Sequence, residues 1–231
     1  MRLHRYYCPT DEAELDKEIW IHKPELLKQW IKVLRYKLGD QLILFNGINE
    51  DRQYQITAIQ DTGVHLSLVT ELALNIPKKN IYLFWSLLKK DKNDWVIQKC
   101  TELGVRHFIP IIADRSEKTG FNIERAKKII IESSEQCGRS DIPSVREPMS
   151  IEHAIDGYAK KVQLIVADKH DSSTEQNFEN EHIGVFVGPE GGWSENEKTI
   201  FTNKKLDILN LHDFTLRAET ACVTSVSRLV Q

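Results

Sequence analysis

Two short segments in the last fifth of the chain hold residue types from which a ligand cleft can be built. Ile183-Gly184-Val185-Phe186-Val187 runs straight into Gly188-Pro189-Glu190-Gly191-Gly192, and Ser194-Glu195-Asn196-Glu197 follows. The first run reads as a buried strand, the second as a glycine-rich turn, and Ser194 with Glu197 as a capping box that opens a helix. A turn with so little side-chain bulk lets backbone N–H and C=O groups lie against a flat or charged ligand. Past one more apolar run, Leu206 to Leu211, the cluster Leu216-Arg217-Ala218-Glu219-Thr220-Ala221 enters the last helix. Two such edges on neighbouring strands would enclose a cleft.

The better-known glycine-loop chemistries do not fit. Gly188 to Gly192 matches neither the G-x-G-x-x-G fingerprint of dinucleotide sites nor the G-x-x-x-x-G-K-[ST] phosphate loop. No H-E-x-x-H, G-x-S-x-G or paired cysteine ligand set occurs, so no metal and no serine triad is expected. A tight strand-to-helix turn with no ligand remains the plain alternative for the glycine loop.

The 231 residues, 41% hydrophobic and 28% charged, suffice for one large domain or two small ones. No run reaches the roughly 18 apolar residues of a membrane span, and Met1-Arg2-Leu3-His4-Arg5-Tyr6-Tyr7 lacks the apolar core of a signal peptide, so a cytoplasmic protein is expected. Cys8, Cys100, Cys137 and Cys222 are scattered, which favours buried free thiols over disulfides. The net charge of -3 argues weakly against a nucleic-acid partner. Its distribution is less one-sided. Lys89 and Lys92 follow a predicted strand end, and Arg2, Arg5 and Arg35 make the N-terminal region basic, so these five are candidate RNA contacts or simply solvated surface.

Elements to position the two segments can be read along the chain. His4 to Tyr7, Gln41 to Phe45, Tyr54 to Ile59 and Val64 to Val69 are β-favouring runs separated by turn signals at Asn46-Gly47 and Asp61-Thr62-Gly63, which suggests a small β-barrel. One helix interrupts it, with Leu26, Leu27, Trp30, Ile31 and Leu34 on one face after Pro24. This domain covers residues 1–72, and a polar connector through Pro77-Lys78-Lys79-Asn80 leads to the second, covering 73–231. From Ile81 strands and helices alternate, the signature of an α/β layer with a parallel sheet. Ile81 to Trp85, His107 to Ile112, Val162 to Ala167 and Ile183 to Val187 are its strands, although Pro110 must then sit at an edge or bulge. Helices are expected from Asp94 to Leu103, closed by Gly104; between Asn122 and Gly138; and behind Ser150. Trp95 is expected in the core, and Trp193 either packs or touches ligand.

Taken together, these blocks resemble the RsmE family of 16S rRNA uridine-N3 methyltransferases, members of the SPOUT superfamily. The matching pieces are Val33-Leu34-Arg35 with Gly39-Asp40 and Phe45-Asn46-Gly47; Lys99 through Glu102-Leu103-Gly104-Val105; Glu135-Gln136-Cys137-Gly138-Arg139; Gly188 to Gly192; and Leu216 to Ala221, all in family order. The resemblance implies an α/β, SPOUT-type parallel-sheet methyltransferase domain with a trefoil knot, preceded by a small PUA-like β-barrel that docks on RNA. It implies S-adenosylmethionine as cofactor, 16S rRNA or the small ribosomal subunit as partner, and a homodimer. It assigns Gly188, Pro189, Glu190, Gly191 and Gly192 to the loop that approaches the cofactor, and Leu211, Leu216, Thr220 and Ala221 to the segment that encloses it. The chain departs from the pattern at Leu211-His212-Asp213-Phe214-Thr215, where His212 replaces a glycine and Phe214 a cation. The stretch from Asp114 to Asn122 also looks abbreviated.

For the reaction so implied, in-line methyl transfer asks the protein mainly to align donor and acceptor. Uracil N3–H is a weak acid, so a group must take its proton or stabilise the anion developing at O2 and O4. Arg217 is the first candidate for the anion and Arg139 the second. Glu190 and Glu219 are candidate proton acceptors, with Glu219 equally suited to favouring a helix N-terminus. His170 and His212 are lesser candidates for acid–base work. Three other readings stay open: a non-catalytic rRNA-binding or assembly factor, a SPOUT methyltransferase with another RNA target, and a metabolic α/β enzyme without an RNA partner.

Overall fold

A computed structural model of the chain describes residues 3–11, 14–116, 120–168, 178 and 180–230. Two of the candidate residues, Arg2 and His170, lie outside the described residues, as do 117–119 of the abbreviated stretch. The chain forms two compact units, Met1–Ile76 with Ser134–Ile142, and Pro77–Ser133 with Pro143–Gln231.

The first unit is built on a five-stranded sheet in the order β1-β3-β4-β5-β2, from β1 (Arg5–Tyr7), β2 (Glu18–Ile21), β3 (Gln41–Phe45), β4 (Asp51–Gln60) and β5 (Gly63–Glu71). Only the β1–β3 pair is parallel. Alternation along the strands sends Leu42, Leu44, Tyr54, Ile56, Val64 and Leu66 to one face, where they bury completely or nearly so. The β3–β4 turn is set by Asn46, whose side-chain oxygen accepts from the backbone N–H of Ile48, Asn49 and Glu50. Register shifts between Gln53 and Tyr54 and between Ile56 and Ala58 interrupt the β4–β5 ladder, with the extra residue on β5 at the first and on β4 at the second.

The expected helix behind Pro24 is present as α1 (Pro24–Leu27), but it widens at once into a π-helical stretch, Lys28–Val33. Leu34 N–H reaches back five residues to the Gln29 carbonyl, and Trp30 is wholly buried against Tyr6, ring centroids 5.1 Å apart. The largest ring in this core is thus carried on the widened turns. Strand β2 was not anticipated from the sequence. It is four residues long and pairs with β5 alone, where Ile19 and Ile21 face the core.

The second unit is an all-parallel six-stranded sheet flanked by helices. In chain order it runs β6 (Asn80–Ser86), α2 (Lys90–Glu102), β7 (Val105–Ile111), α3 (Ile123–Cys137), β8 (Ser144–Val145), α4 (Ile151–Tyr158), β9 (Gln163–Ala167), β10 (His182–Val187), α5 (Glu195–Asn203), β11 (Asp207–Leu209) and α6 (Ala218–Leu229). The strand order is β11-β9-β10-β6-β7-β8, and every pair is parallel. β6 and β10 lie side by side at its centre. Phe84 and Phe186 stack there at 4.5 Å, which is why both strands read as continuous apolar runs.

Pro110 stands inside β7 without a bulge at its own position. The carbonyls of Phe108 and Pro110 accept from Arg146 and Met149, so the missing N–H of Pro110 faces the side where β8 is only two residues long, and no ladder bond is lost. Trp95 departs from expectation: it is 41% exposed. The buried stripe of α2 runs through Asn93, Val96, Ile97, Cys100 and Thr101, and Trp95 falls off that face. Among the described residues no helix is long and apolar enough to cross a membrane.

Candidate active site

The glycine loop leaves β10 at Val187 and is held from two directions. Its Gly192 has a positive φ of 67° and its N–H donates to the Pro189 carbonyl at 2.9 Å, closing a tight turn that an L side chain would strain. Gly188 lies against the Trp193 indole, where an added Cβ would stand 3.1 Å from the ring. Trp193 itself is buried and packs edge-on against Phe201 of α5, so it forms the floor of the loop.

Ser194 and Glu197 form the capping box expected from the sequence. Glu197 does more than cap: while one oxygen accepts from Ser194 N–H at 2.6 Å, the other accepts from Asp114 N–H at 2.8 Å. Ser194 Oγ donates to the Asp114 carboxylate. Next door, Arg115 Nη1 donates to the carbonyls of Gly191 at 2.8 Å and Trp193 at 3.4 Å. The segment leaving β7 is therefore stitched to the glycine loop.

Beside this loop, at the carboxyl ends of β9, β10 and β11, is a cleft of about 640 Å³. Its walls are Ala167 and Asp168 after β9, Val187 to Pro189 with Gly192 and Trp193 after β10, and Asn210 to Leu216 (without Asp213) leading to Ala218 and Ala221 of α6. The carboxyl ends of parallel strands are where open α/β sheets place ligands. Arg228 of α6 donates to the Asn210 carbonyl at 2.6 Å and so fixes the far wall.

An adjoining surface cleft is lined by Asp91, Lys92 and Trp95 from α2 and by Arg217, Glu219 and Thr220. Lys92 stands between two carboxylates, 3.0 Å from Glu190 and 3.3 Å from Glu219. The Glu190 hydrogen bond in particular raises the Lys92 ammonium above its ordinary range. Burial pushes the Glu190 carboxyl up, but its own backbone N–H and Lys92 outweigh it, and the net effect holds it below the ordinary carboxylate range. Arg217 is the N-cap residue of α6 and is exposed. Its carbonyl accepts from Ala221 N–H at 2.8 Å, while its guanidinium makes no ion pair or hydrogen bond among the described residues. A free guanidinium at a helix N-terminus, next to a carboxylate and beside a deep cleft, can stabilise an anion that develops there.

The candidate residues divide accordingly. Gly188, Pro189, Gly192, Leu211, Leu216 and Ala221 line the deep cleft. Glu190 turns instead to Lys92, Gly191 meets Arg115, and Thr220 lines the adjoining cleft. Arg217 and Glu219 line that adjoining cleft as well.

Arg139 does not fit its expected role. It belongs to the first unit, is 4% exposed, and donates to Asp141 through Nε at 2.9 Å and Nη2 at 2.7 Å. A guanidinium so enclosed is structural. Arg5 is corrected on the same grounds as an RNA contact. It pairs with the buried Asp51 at 2.6 Å and lies over the Phe45 ring. Arg35, at a φ of 57°, and Lys89 are exposed, whereas Lys92 is occupied by its two carboxylates.

Asp168 and Arg115 were not picked out by the sequence reading. Asp168 had a usable signal, being the first polar residue after a continuous apolar strand. The thiols of Cys100 and Cys222 are both pushed up by burial, which keeps them protonated and unsuited to nucleophilic attack.

Residues 75–230 match the RNA methyltransferase domain profile, and residues 31–69 match the RNA methyltransferase PUA domain. Ribosomal RNA small subunit methyltransferase E of Rickettsia conorii is 30% identical, over 99% of this chain and 96% of the relative. The chain belongs to this methyltransferase E family. The Aquifex aeolicus member is 32% identical over 80% of this chain and 84% of its own. Among solved structures, the family member of Neisseria gonorrhoeae bound to S-adenosyl methionine superposes with a TM-score of 0.88 at 24% identity, covering 99% of this chain and 97% of that one, which supports the fold. A Legionella pneumophila protein solved in complex with S-adenosylmethionine superposes with a TM-score of 0.84 at 28% identity, covering 99% and 97%.

Proposed function

We propose that this member of the methyltransferase E family transfers the methyl group of S-adenosylmethionine to N3 of a specific uridine in 16S rRNA. The observation that carries the reading is the pairing of a glycine-loop cleft at the strand ends with an unpaired Arg217 and the carboxylate Glu219 at its side. In this reading residues 1–72 are the PUA-like part that docks on RNA, through exposed cations such as Arg35, and residues 73–231 carry the chemistry. The protein acts in the cytoplasm as a homodimer on rRNA or the small subunit. The knotted threading belongs to the same reading, supported by the order β11-β9-β10, in which the chain returns across β9 to finish the sheet.

The residues present fit the cofactor. Leu211, Leu216 and Ala221 offer apolar surface to a purine, and Gly188 and Gly192 put backbone with no side chain of its own into the wall. Asp168 puts a carboxylate in the wall, which suits a cationic ligand. The departure at His212 to Thr215 does not fill this space. When bound, S-adenosylmethionine supplies both the methyl group and its leaving group.

The chain's own residues then have a limited task. Arg217 stabilises negative charge as it develops on the uracil oxygens. Glu219 accepts the N3 proton. Its side chain is 15% exposed and it shares the adjoining cleft with Arg217, whereas its own N–H and Lys92 hold Glu190 below the ordinary carboxylate range. No cysteine adds to the ring, in keeping with protonated, buried thiols and with attack at nitrogen rather than carbon.

Mass spectrometry of small-subunit rRNA from cells with and without the protein tests the assignment. A single methyluridine that disappears on deletion and returns with the wild-type gene is the expected result. An unchanged modification profile would overturn it.

A further inference from the structure

The segment that departs from the family pattern does something specific in the fold. Phe214 is 74% exposed although it stands in the wall of the deep cleft. A phenylalanine ring stabilises a fold by being buried, so one left out at a cleft mouth adds little to it. It is nonetheless held in place. The His212 ring stacks on it with centroids 5.1 Å apart and planes 25° from parallel, and Phe214 N–H donates to His212 Nδ1 at 3.0 Å. A backbone N–H can only donate, so the neutral His212 carries its ring proton on Nε2. Three residues on is the unpaired guanidinium of Arg217.

A flat apolar face, a ring N–H and a nearby cation together match one kind of ligand. Single-stranded RNA is read by stacking splayed-out bases on aromatic rings and guanidinium planes while donors satisfy their oxygens. A pyrimidine with two carbonyl oxygens offers both surfaces. We propose that the His212–Phe214 stack is the platform on which the target uracil base lands. This deepens the methyl-transfer reading and rests on it. The cation expected at position 214 is thereby exchanged for a stacking surface, with Arg217 left to supply the charge.

Steady-state kinetics on small-subunit rRNA, with calorimetry of S-adenosylmethionine binding, separate the alternatives in Phe214→Leu and Phe214→Tyr. Leucine keeps the apolar bulk but removes the π-face. The expected result is a KM for RNA raised roughly tenfold in Phe214→Leu and restored in Phe214→Tyr, a larger change than any in cofactor affinity, with sedimentation unchanged. An unchanged KM overturns the platform. So does a parallel loss of cofactor affinity, which would make the ring part of the cofactor wall, or a change in oligomeric state, which would make it a contact between copies. Fluorescence anisotropy with a short uridine-containing RNA reads the platform apart from turnover. Weaker binding by Phe214→Leu, with wild-type protein inactive on rRNA, would keep the platform and sink the methyl-transfer reading. Equal binding by both proteins would sink the platform.

Discussion

The Arg115 guanidinium donates to the Gly191 carbonyl oxygen at 2.8 Å, which joins the segment after β7 to the glycine loop after β10. A second, longer bond to the Trp193 carbonyl brackets the turn. Backbone groups serve a ligand only if the turn keeps its shape, and Arg115 is the charged donor that holds this one from outside. Hydrogen bonds to charged groups contribute about 1.5–3 kcal/mol, less where solvent reaches them as it does here. Arg115→Ala is therefore expected to weaken cofactor binding by roughly tenfold while leaving thermal stability nearly as it was, with Arg115→Lys recovering part of the loss. Isothermal calorimetry alongside a melting curve checks this. A large drop in melting temperature with equal affinity would assign Arg115 to stability instead.

The Lys92 bridge gives a pH signature. Glu190 is held below its ordinary value of 4.5, so its contribution to stability is whole above that value and shrinks as pH falls through the lower, folded value. Lys92 is raised above 10.5, so its share is whole below that value and is lost as pH rises through the higher, folded one. The clamp is complete between these limits. In Lys92→Met the Glu190 carboxyl returns toward its ordinary range. Urea midpoints of wild type and Lys92→Met should differ at pH 7 and converge at pH values below the carboxylate range. A gap that persists in acid would show that Lys92 acts by packing its stem.

How much of this was legible in the sequence depended on how far each signal reached along the chain. Helices α3, α4 and α5 start where Asn122, Ser150 and Ser194 mark them, because a side-chain oxygen accepting an N–H three residues on is a local event. Strand β2 and the π-helical widening were not legible. Both depend on what lies across the core, the partner β5 for one and the Tyr6 ring for the other. The glycine loop could be read because its turn is set by residue types within the loop itself. Arg115 could not, since its partners stand 76 and 78 positions away. Arg139 and Arg5 show the opposite failure. Each is a cation of the right type for chemistry, but Asp141 and Asp51 had already claimed them in the folded chain.

Arg217 should separate binding from turnover. It stands outside the walls of the cleft beside the glycine loop, and its side chain has no hydrogen-bond or ion-pair partner among the described residues. Removing one preorganised donor to a developing anion costs about 10²–10³ in rate. Arg217→Ala is expected to lose that much in single-turnover methyl transfer, with cofactor affinity within a factor of two. Arg217→Lys should regain part of it, since charge survives while the planar fork does not. Equal single-turnover rates would remove Arg217 from the chemistry.

Arg139 predicts a different pattern, because its partners make it part of the first unit's interior. Asp141 takes its Nε and Nη2, its carbonyl oxygen accepts from Arg5 at 3.3 Å, and Arg5 in turn pairs with Asp51, which also accepts from Ser140 Oγ at 2.6 Å. All four charged side chains are no more than 10% exposed. Breaking one partner of a buried pair leaves the other charge without compensation and costs about 3–5 kcal/mol. Arg139→Ala is thus expected to lower unfolding stability by that amount in urea titration. Replacing the pair as Arg139→Met with Asp141→Leu should recover most of it, because both buried charges then leave together. A catalytic Arg139 would give the reverse outcome, in which Arg139→Ala unfolds like wild type and loses methyl transfer.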